Sequence, residues 1–472
     1  MQYVSTRGSA PALDFEGVTL AGLASDGGLY LPAEWPRFTE AEIRAMRGCP
    51  YWELAVEVMR PFIGDSLTET ELETICMEVY CGQFRHAAVT PLVQLDEQHW
   101  LLELFHGPTL AFKDVALQLL GRLFETFLER RDQRLTIVGA TSGDTGSAAI
   151  HAVAGRRRTE IFMLHPRGRV SDVQRRQMTT VRAPNVHNLA IEGSFDDAQA
   201  HVKRMFNDAD VTTTLNLGAV NSINWARLMA QVVYYFTSAL QLGAPDRKVA
   251  YSVPTGNFGD VFAGYVAAKM GLPIDLLMVA TNVNDILRRA IVNGDYSAGD
   301  VTPTITPSMD IQVSSNFERL LFDAGGRDGA ALAEQMRAFE ATKAMRLTNA
   351  QRDGIKGQFV AFSANQIETA RAMQWAYQGS GQIIDPHTAV GLAVARETVS
   401  DDSIDPLTPI ITLATAHPAK FPDAVERAIG VRPALPARVG DLFGREESFV
   451  ELAGDYATTR DYVLEHAAGS KA

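Results

Sequence analysis

Short apolar runs recur through this chain, each followed by a loop rich in glycine and hydroxyl residues. Leu135–Ala140 leads into Thr141-Ser142-Gly143-Asp144-Thr145-Gly146 and then the Ala-rich, helix-patterned run Ser147–Ala154. Val249–Pro254 leads into Thr255-Gly256-Asn257-Phe258-Gly259-Asp260 and then Val261–Met270. Ile161–Leu164, Asp275–Ala280 and Pro409–Ala414 are further strand-like runs, the last followed by Thr415-Ala416-His417-Pro418. Continuous apolar runs of this length suit strands buried on both faces. Strand–loop–helix units in series imply right-handed parallel crossovers, so an open, mostly parallel α/β sheet is predicted. Ligands gather at the carboxyl ends of strands in such sheets, where these three loops fall.

The 472 residues allow two or three domains at roughly 100–200 residues each. A hydrophobic content of 46% supports a sizeable core. The pattern changes near residue 90: helix-like Glu40–Met46, Tyr51–Phe62 and Glu69–Cys81, with a turn into a short strand at Ser25–Pro32, predict a small N-terminal domain over residues 1–90. Residues 91–472 form the remainder. A net charge of −13 without a long basic run argues against nucleic acid and anionic membrane as partners. Arg156-Arg157-Arg158, after Gly155, reads as a solvated turn.

Cys49, Cys76 and Cys81 show no metal-ligand spacing, and an odd, low count suits a reducing compartment. No metal is expected. Met1–Gly8 has no apolar signal core, and Leu228–Ala244, interrupted by Gln231, Ser238 and Gln241, predicts a buried core helix rather than a membrane span. A soluble, cytoplasmic chain is expected. Gly294–Pro307, rich in Gly, Thr, Ser and Pro, predicts a surface segment that fits a linker, a lid or a plain loop.

The decapeptide Phe105-His106-Gly107-Pro108-Thr109-Leu110-Ala111-Phe112-Lys113-Asp114 places one lysine after an apolar triplet, with Asp114 as the expected cap of the helix that follows. Apolar neighbours and a helix N-terminus both disfavour an ammonium, and a neutral lysine can form an imine with a carbonyl. The decapeptide alone also fits a surface lysine. The Thr141–Gly146 loop suits a carboxylate or phosphate at a helix N-terminus, or a plain strand-to-helix connection. Thr255–Asp260 reads as a compact phosphate cup or a tight turn. Ser222, Asn224 and Arg227 can converge on an oxyanion, or belong to a capped helix. Thr415 offers a neutral hydroxyl at a strand end. His106, His387 and His417 fit proton carriers or structural side chains. Together these handles describe one ligand, pyridoxal 5′-phosphate (PLP): a carbonyl held by Lys113, a phosphate in a glycine cup and a ring nitrogen at a hydroxyl.

The same segments, with Tyr3–Gly8 and Ser25–Pro32, resemble the threonine synthase family of tryptophan-synthase-β-like PLP enzymes over nearly the whole chain. The resemblance implies PLP-dependent fold type II: two open, mostly parallel α/β lobes with a small N-terminal domain. It implies that Lys113 is the Schiff-base lysine. Gly256, Asn257, Phe258 and Gly259 would hold the cofactor phosphate, with Asp260 completing that cofactor loop, and Thr415 would bond the pyridine nitrogen. Thr141, Ser142 and Thr145 would hold the substrate carboxylate, and Ser222, Asn224 and Arg227 the substrate phosphate. The wider fold group often has Asn, on the cofactor's ring oxygen, where this chain has Asp144; that departure leaves the role of Asp144 at the cofactor open. The implied reaction is carbon–oxygen lyase chemistry, converting O-phospho-L-homoserine and water to L-threonine and phosphate in a monomer or homodimer. A PLP phospho-lyase or a threonine or serine dehydratase on the same fold is a second reading. A non-catalytic regulatory protein on an inherited fold is a third.

Overall fold

Val249–Pro254, buried at every residue, lies inside a six-stranded sheet in the computed structural model, which describes residues 1–401 and 403–467. The strand order is Phe359–Ser363, Ile274–Thr281, Val249–Pro254, Ile410–Ala414, His99–Glu103, Leu92–Gln94. Every pairing is parallel except that of the edge strand Leu92–Gln94. Val249–Pro254 has its sequence neighbour on one side and the distant Ile410–Ala414 on the other, with Thr412 opposite Ser252. The loop after Pro254 and the residue Thr415 therefore leave adjacent strands at the same end, at a switch in strand order, where α/β sheets bind ligands.

The chain forms two compact units. The first comprises Met1–Val18, Leu23–His106 and Ser222–Pro433, and holds this sheet. The second comprises Thr19–Gly22, Gly107–Asn221 and the chain from Ala434, and holds a five-stranded sheet. Its order is Val450–Leu452, Val186–Ile191, Thr159–Pro166, Leu135–Ala140, Leu217–Gly218, parallel throughout.

Within the first unit the N-terminal segment pairs Tyr3–Ser5 with Tyr30–Pro32, and the Tyr3 hydroxyl donates to Phe62 O at 2.6 Å. Trp225, fully buried, packs against the rings of Tyr3, Trp35 and Phe62. It begins the helix Trp225–Gln241, whose residues are buried from Trp225 through Leu240. A helix this rich in apolar residues has to be enclosed in the core, as the run Leu228–Ala244 predicts, and Arg227, Gln231 and Ser238 are buried with it. No helix among the described residues is long and apolar enough to cross a membrane.

Three local expectations change. Asp114 does not cap its helix: the helix is Lys113–Arg130, so Asp114 lies in the first turn and its carboxylate turns back to Thr109. The helix expected at Ser147–Ala154 starts earlier and spans Asp144–Val153. Gly294–Pro307 is not wholly a loop, because Asp295–Ser297 pairs antiparallel with Ala344–Arg346. The rest of that segment is anchored at Asn282, whose Nδ2 lies 2.7–3.0 Å from Thr304 Oγ1, Thr306 Oγ1 and, just beyond the segment, Asp310 Oδ1.

Candidate active site

In the second unit, Lys113 opens its helix with a side chain only 12% exposed. The preceding decapeptide closes on itself: Asp114 accepts the Thr109 N–H and hydroxyl, both at 2.8 Å, and Gln177 Nε2 donates to Thr109 O at 2.9 Å. Lys113 Nζ lies 4.7 Å from the Phe112 ring centre and 3.7 Å from Asp144 Oδ2. Gln174 Nε2 donates to the other oxygen, Asp144 Oδ1, at 2.8 Å. Asp144 is thus held by a neutral amide on one side and faces the lysine on the other. An ammonium at Lys113 has a carboxylate partner, not the purely apolar setting that its sequence neighbours suggest.

Thr141 Oγ1 accepts the Gly143 and Gly146 N–H groups at 3.0 and 2.9 Å, which rounds the loop after Leu135–Ala140 into a bowl. Both bonds use the oxygen as acceptor, so the Thr141 proton is available to an anion. Ser142 is exposed and Thr145 half-buried on the same loop. Gly143 has φ +142°, and a Cβ there would stand 2.6 Å from Gln174 Cδ, so only glycine fits between the loop and the side chain that holds Asp144.

In the first unit, Thr255–Phe258 connects Val249–Pro254 to the helix Gly259–Lys269. Phe258 takes a left-handed backbone, φ +64°, with its ring 5.1 Å from that of Phe317. No side chain caps the helix that follows, and the first N–H groups of a helix have no intrahelical partner, which suits an anion. A Cβ on Gly256 would lie 2.8 Å from Ser308 O. The Asp260 carboxylate accepts hydrogen bonds from Tyr234 and Tyr235, so what this residue presents in the first turn is its N–H.

Asn224 caps Trp225–Gln241, its Oδ1 accepting the Ala226 N–H at 3.0 Å. Arg227 is buried one turn on, and desolvation pulls its guanidinium down to about 10. A buried cation gains from an arriving anion. Ser222, half-buried, precedes them. Both loops converge on a residue that the sequence reading missed. Asn316 Nδ2 donates to Ser222 O and to Asn257 O, each at 3.1 Å. Arg319, fully buried, donates to Asn316 Oδ1, to Ile223 O at 2.6 Å and to Tyr30 O at 2.9 Å. The signal available was the string Ser314-Ser315-Asn316 opening the helix Phe317–Ala324, with an arginine in its first turn.

Thr415, buried just past Ile410–Ala414, donates its N–H to Thr388 Oγ1 at 3.2 Å. His417 caps a short turn, its Nδ1 accepting the Ala419 N–H at 3.2 Å, with its ring edge-on to Phe105. His106 Nε2 stands 2.8 Å from Glu103 Oε2. His387 lies in the first turn of the helix Pro386–Ser400.

Taken unit by unit, the groups suit PLP chemically: an enclosed primary amine at Lys113 in the second unit, and in the first a helix N-terminus with a glycine cup at Gly256–Gly259 and a strand-end hydroxyl at Thr415. Parallel sheets carrying these groups define a PLP-dependent enzyme, and the family model described as pyridoxal-phosphate dependent enzyme matches residues 84–355. Models for the threonine synthase N terminus and the threonine synthase C-terminal region match residues 2–80 and 388–463. The chain is 54% identical to threonine synthase of Pseudomonas aeruginosa over 467 residues, covering 99% of this chain and 98% of that protein. It is similar to the crystal structure of PLP-bound threonine synthase from Brucella melitensis, with 54% identity, a TM-score of 0.96 and coverage of 99% and 100% of the two chains. The yeast threonine synthase structure matches at 39% identity and a TM-score of 0.94, over 99% of each chain. The chain belongs to the threonine synthase family, and its fold is PLP-dependent fold type II.

Proposed function

We propose that the chain converts O-phospho-L-homoserine and water to L-threonine and phosphate. The full-length match to threonine synthases carries this reading. Bound PLP supplies the electron sink that makes carbon-bound protons of the substrate removable. Lys113 provides the amine that holds the cofactor's aldehyde carbon. With its amine free, Lys113 Nζ would move protons at substrate carbon, first at Cα. Asp144, 3.7 Å away, steadies Nζ when it carries the proton. The amides of Gly256, Asn257, Phe258, Gly259 and Asp260 hold the cofactor phosphate, and the Thr415 hydroxyl meets the ring nitrogen. Thr141, Ser142 and Thr145 take the substrate carboxylate. Ser222, Asn224 and Arg227 take its phosphate, with the buried Arg227 favouring a phosphorylated substrate over threonine or serine.

Residues 1–90 serve as a threonine-synthase-type N-terminal domain and residues 91–472 as the PLP-binding catalytic region. The protein acts as a monomer or homodimer in the cytoplasm, where its three cysteines, all free, stay reduced. The test is release of phosphate and threonine from O-phosphohomoserine, with Lys113→Ala as control. Both products appear with the native chain and neither with the variant. Release of 2-oxobutyrate in place of threonine would assign the chain to the phospho-lyase reading, and full turnover by Lys113→Ala would remove the lysine from the chemistry.

A further inference from the structure

We propose that Asp385 and Thr388 are positioning residues that orient Thr415, and through it the contact to the cofactor's ring nitrogen; the inference rests on the role given to Thr415 above. Asp385 is 0% exposed and caps the helix Pro386–Ser400. Its Oδ1 accepts the His387 N–H at 2.9 Å and lies 3.0 Å from His387 Nδ1. Its Oδ2 accepts the Thr388 N–H at 3.3 Å and the Thr388 hydroxyl proton. The helix N-terminus supports the negative charge there.

A plain cap would end at those amides. The Thr388 hydroxyl carries the connection further. A hydroxyl has one proton, and Thr388 commits it to Asp385. The oxygen lone pairs then face the Thr415 N–H, 3.2 Å away. Thr415 is the first residue past Ile410–Ala414, so its N–H would otherwise lie at the frayed end of the strand. Asp385 thereby sets the polarity of the link: without a strong acceptor, the hydroxyl can rotate and present its proton to a second donor.

The helix that carries Thr388 is itself fixed to the sheet. Ser252 Oγ donates to Gly391 O at 2.6 Å, and a Cβ on Gly391 would lie 2.9 Å from Thr412 Cγ2. The helix backbone thus rests on Val249–Pro254 and on Ile410–Ala414, the two strands whose ends carry the phosphate cup and Thr415. A contact to a ring atom has to be held to within about 0.5 Å, and supporting hydrogen bonds of this kind do that.

The experiment compares Thr388→Val, Thr388→Ser, Asp385→Asn and Thr415→Ala as PLP-loaded proteins, reading the visible absorbance band of bound PLP, threonine turnover and thermal melting. Thr388→Val and Asp385→Asn are expected to shift the band in the same direction as Thr415→Ala and to lower turnover by roughly 10- to 100-fold. Thr388→Ser, which keeps the hydroxyl, restores both. A native band and turnover in Thr388→Val, alongside an altered Thr415→Ala, would overturn the inference and leave the role of Thr415 standing. Native behaviour of Thr415→Ala itself would remove that role, and the inference with it. A lowered melting temperature without a spectral change would make Asp385 a helix cap alone, which also overturns the inference.

Discussion

Lys113 Nζ lies 3.7 Å from Asp144 Oδ2, while Gln174 Nε2 holds the other oxygen of the same carboxylate at 2.8 Å. The carboxylate sits in the first turn of the helix Asp144–Val153, and the lysine opens the helix Lys113–Arg130. Their separation is therefore set by how these two helices pack.

Asp144→Asn keeps an oxygen for Gln174 and turns an amide toward Lys113, placing donor against donor. Turnover is expected to fall roughly 10- to 100-fold. Borohydride should still trap PLP on the lysine, because Nζ itself is intact. Mass spectrometry of the trapped protein, beside the threonine assay, checks this; an unchanged turnover number would show that the carboxylate does not assist Nζ.

Arg319→Leu removes the donors to Asn316, Ile223 and Tyr30 from a fully buried position. Each buried acceptor left without a partner costs about 1–3 kcal/mol. The midpoint of denaturant unfolding should drop accordingly. The milder Asn316→Ala frees Ser222 O and Asn257 O, so it should weaken PLP retention and raise KM for the phosphorylated substrate together. Movement of only one of these would mean that the two loops are held independently.

Gly121 lies where a Cβ would press directly on the backbone oxygen of Ala152, in the helix that begins with Asp144. Gly121→Ala gains about 1 kcal/mol of helix propensity in an isolated helix. Here the contact is to backbone, which cannot swing aside, so a net loss of about 1–3 kcal/mol is expected. Urea denaturation measures it, and a stabilised variant would contradict the close helix contact.

Burial holds the His165 imidazole below its ordinary value of 6.5. As pH falls below 6.5 the unfolded chain takes up a proton that the folded chain does not, so stability falls with it. The contribution is whole above 6.5 and lost on acidification. His165→Phe should flatten the decline of melting temperature below that pH, and an equally steep decline in the variant would locate the acid sensitivity elsewhere.

The parallel sheets were legible in the sequence because a strand buried on both faces must be apolar throughout, as Val249–Pro254 is. The buried helix beginning at Trp225 was legible for the same reason. The Asp114 cap was misread: an acidic residue after a lysine fits both N-cap and first-turn positions, and the choice depended on Thr109, five residues back. Asn316 and Arg319 were not legible, since apart from each other their partners lie 59–289 residues away in sequence.

The sequence by itself determined the candidate groups: a lysine at a helix start, glycine loops at strand ends and a strand-end threonine. Local spacing suffices for these, because strand and helix periods place such residues at element ends whatever the rest of the chain does. Tertiary structure alone decided what surrounds each group. Asp144 meets Lys113, Asn316 joins the loops of Ser222 and Asn257, and Thr388 reaches Thr415, all across gaps in sequence that no periodicity spans. Hydrogen bonds act over about 3 Å, so a group's chemistry is completed by whichever residues the packing of helices on sheets brings within that reach.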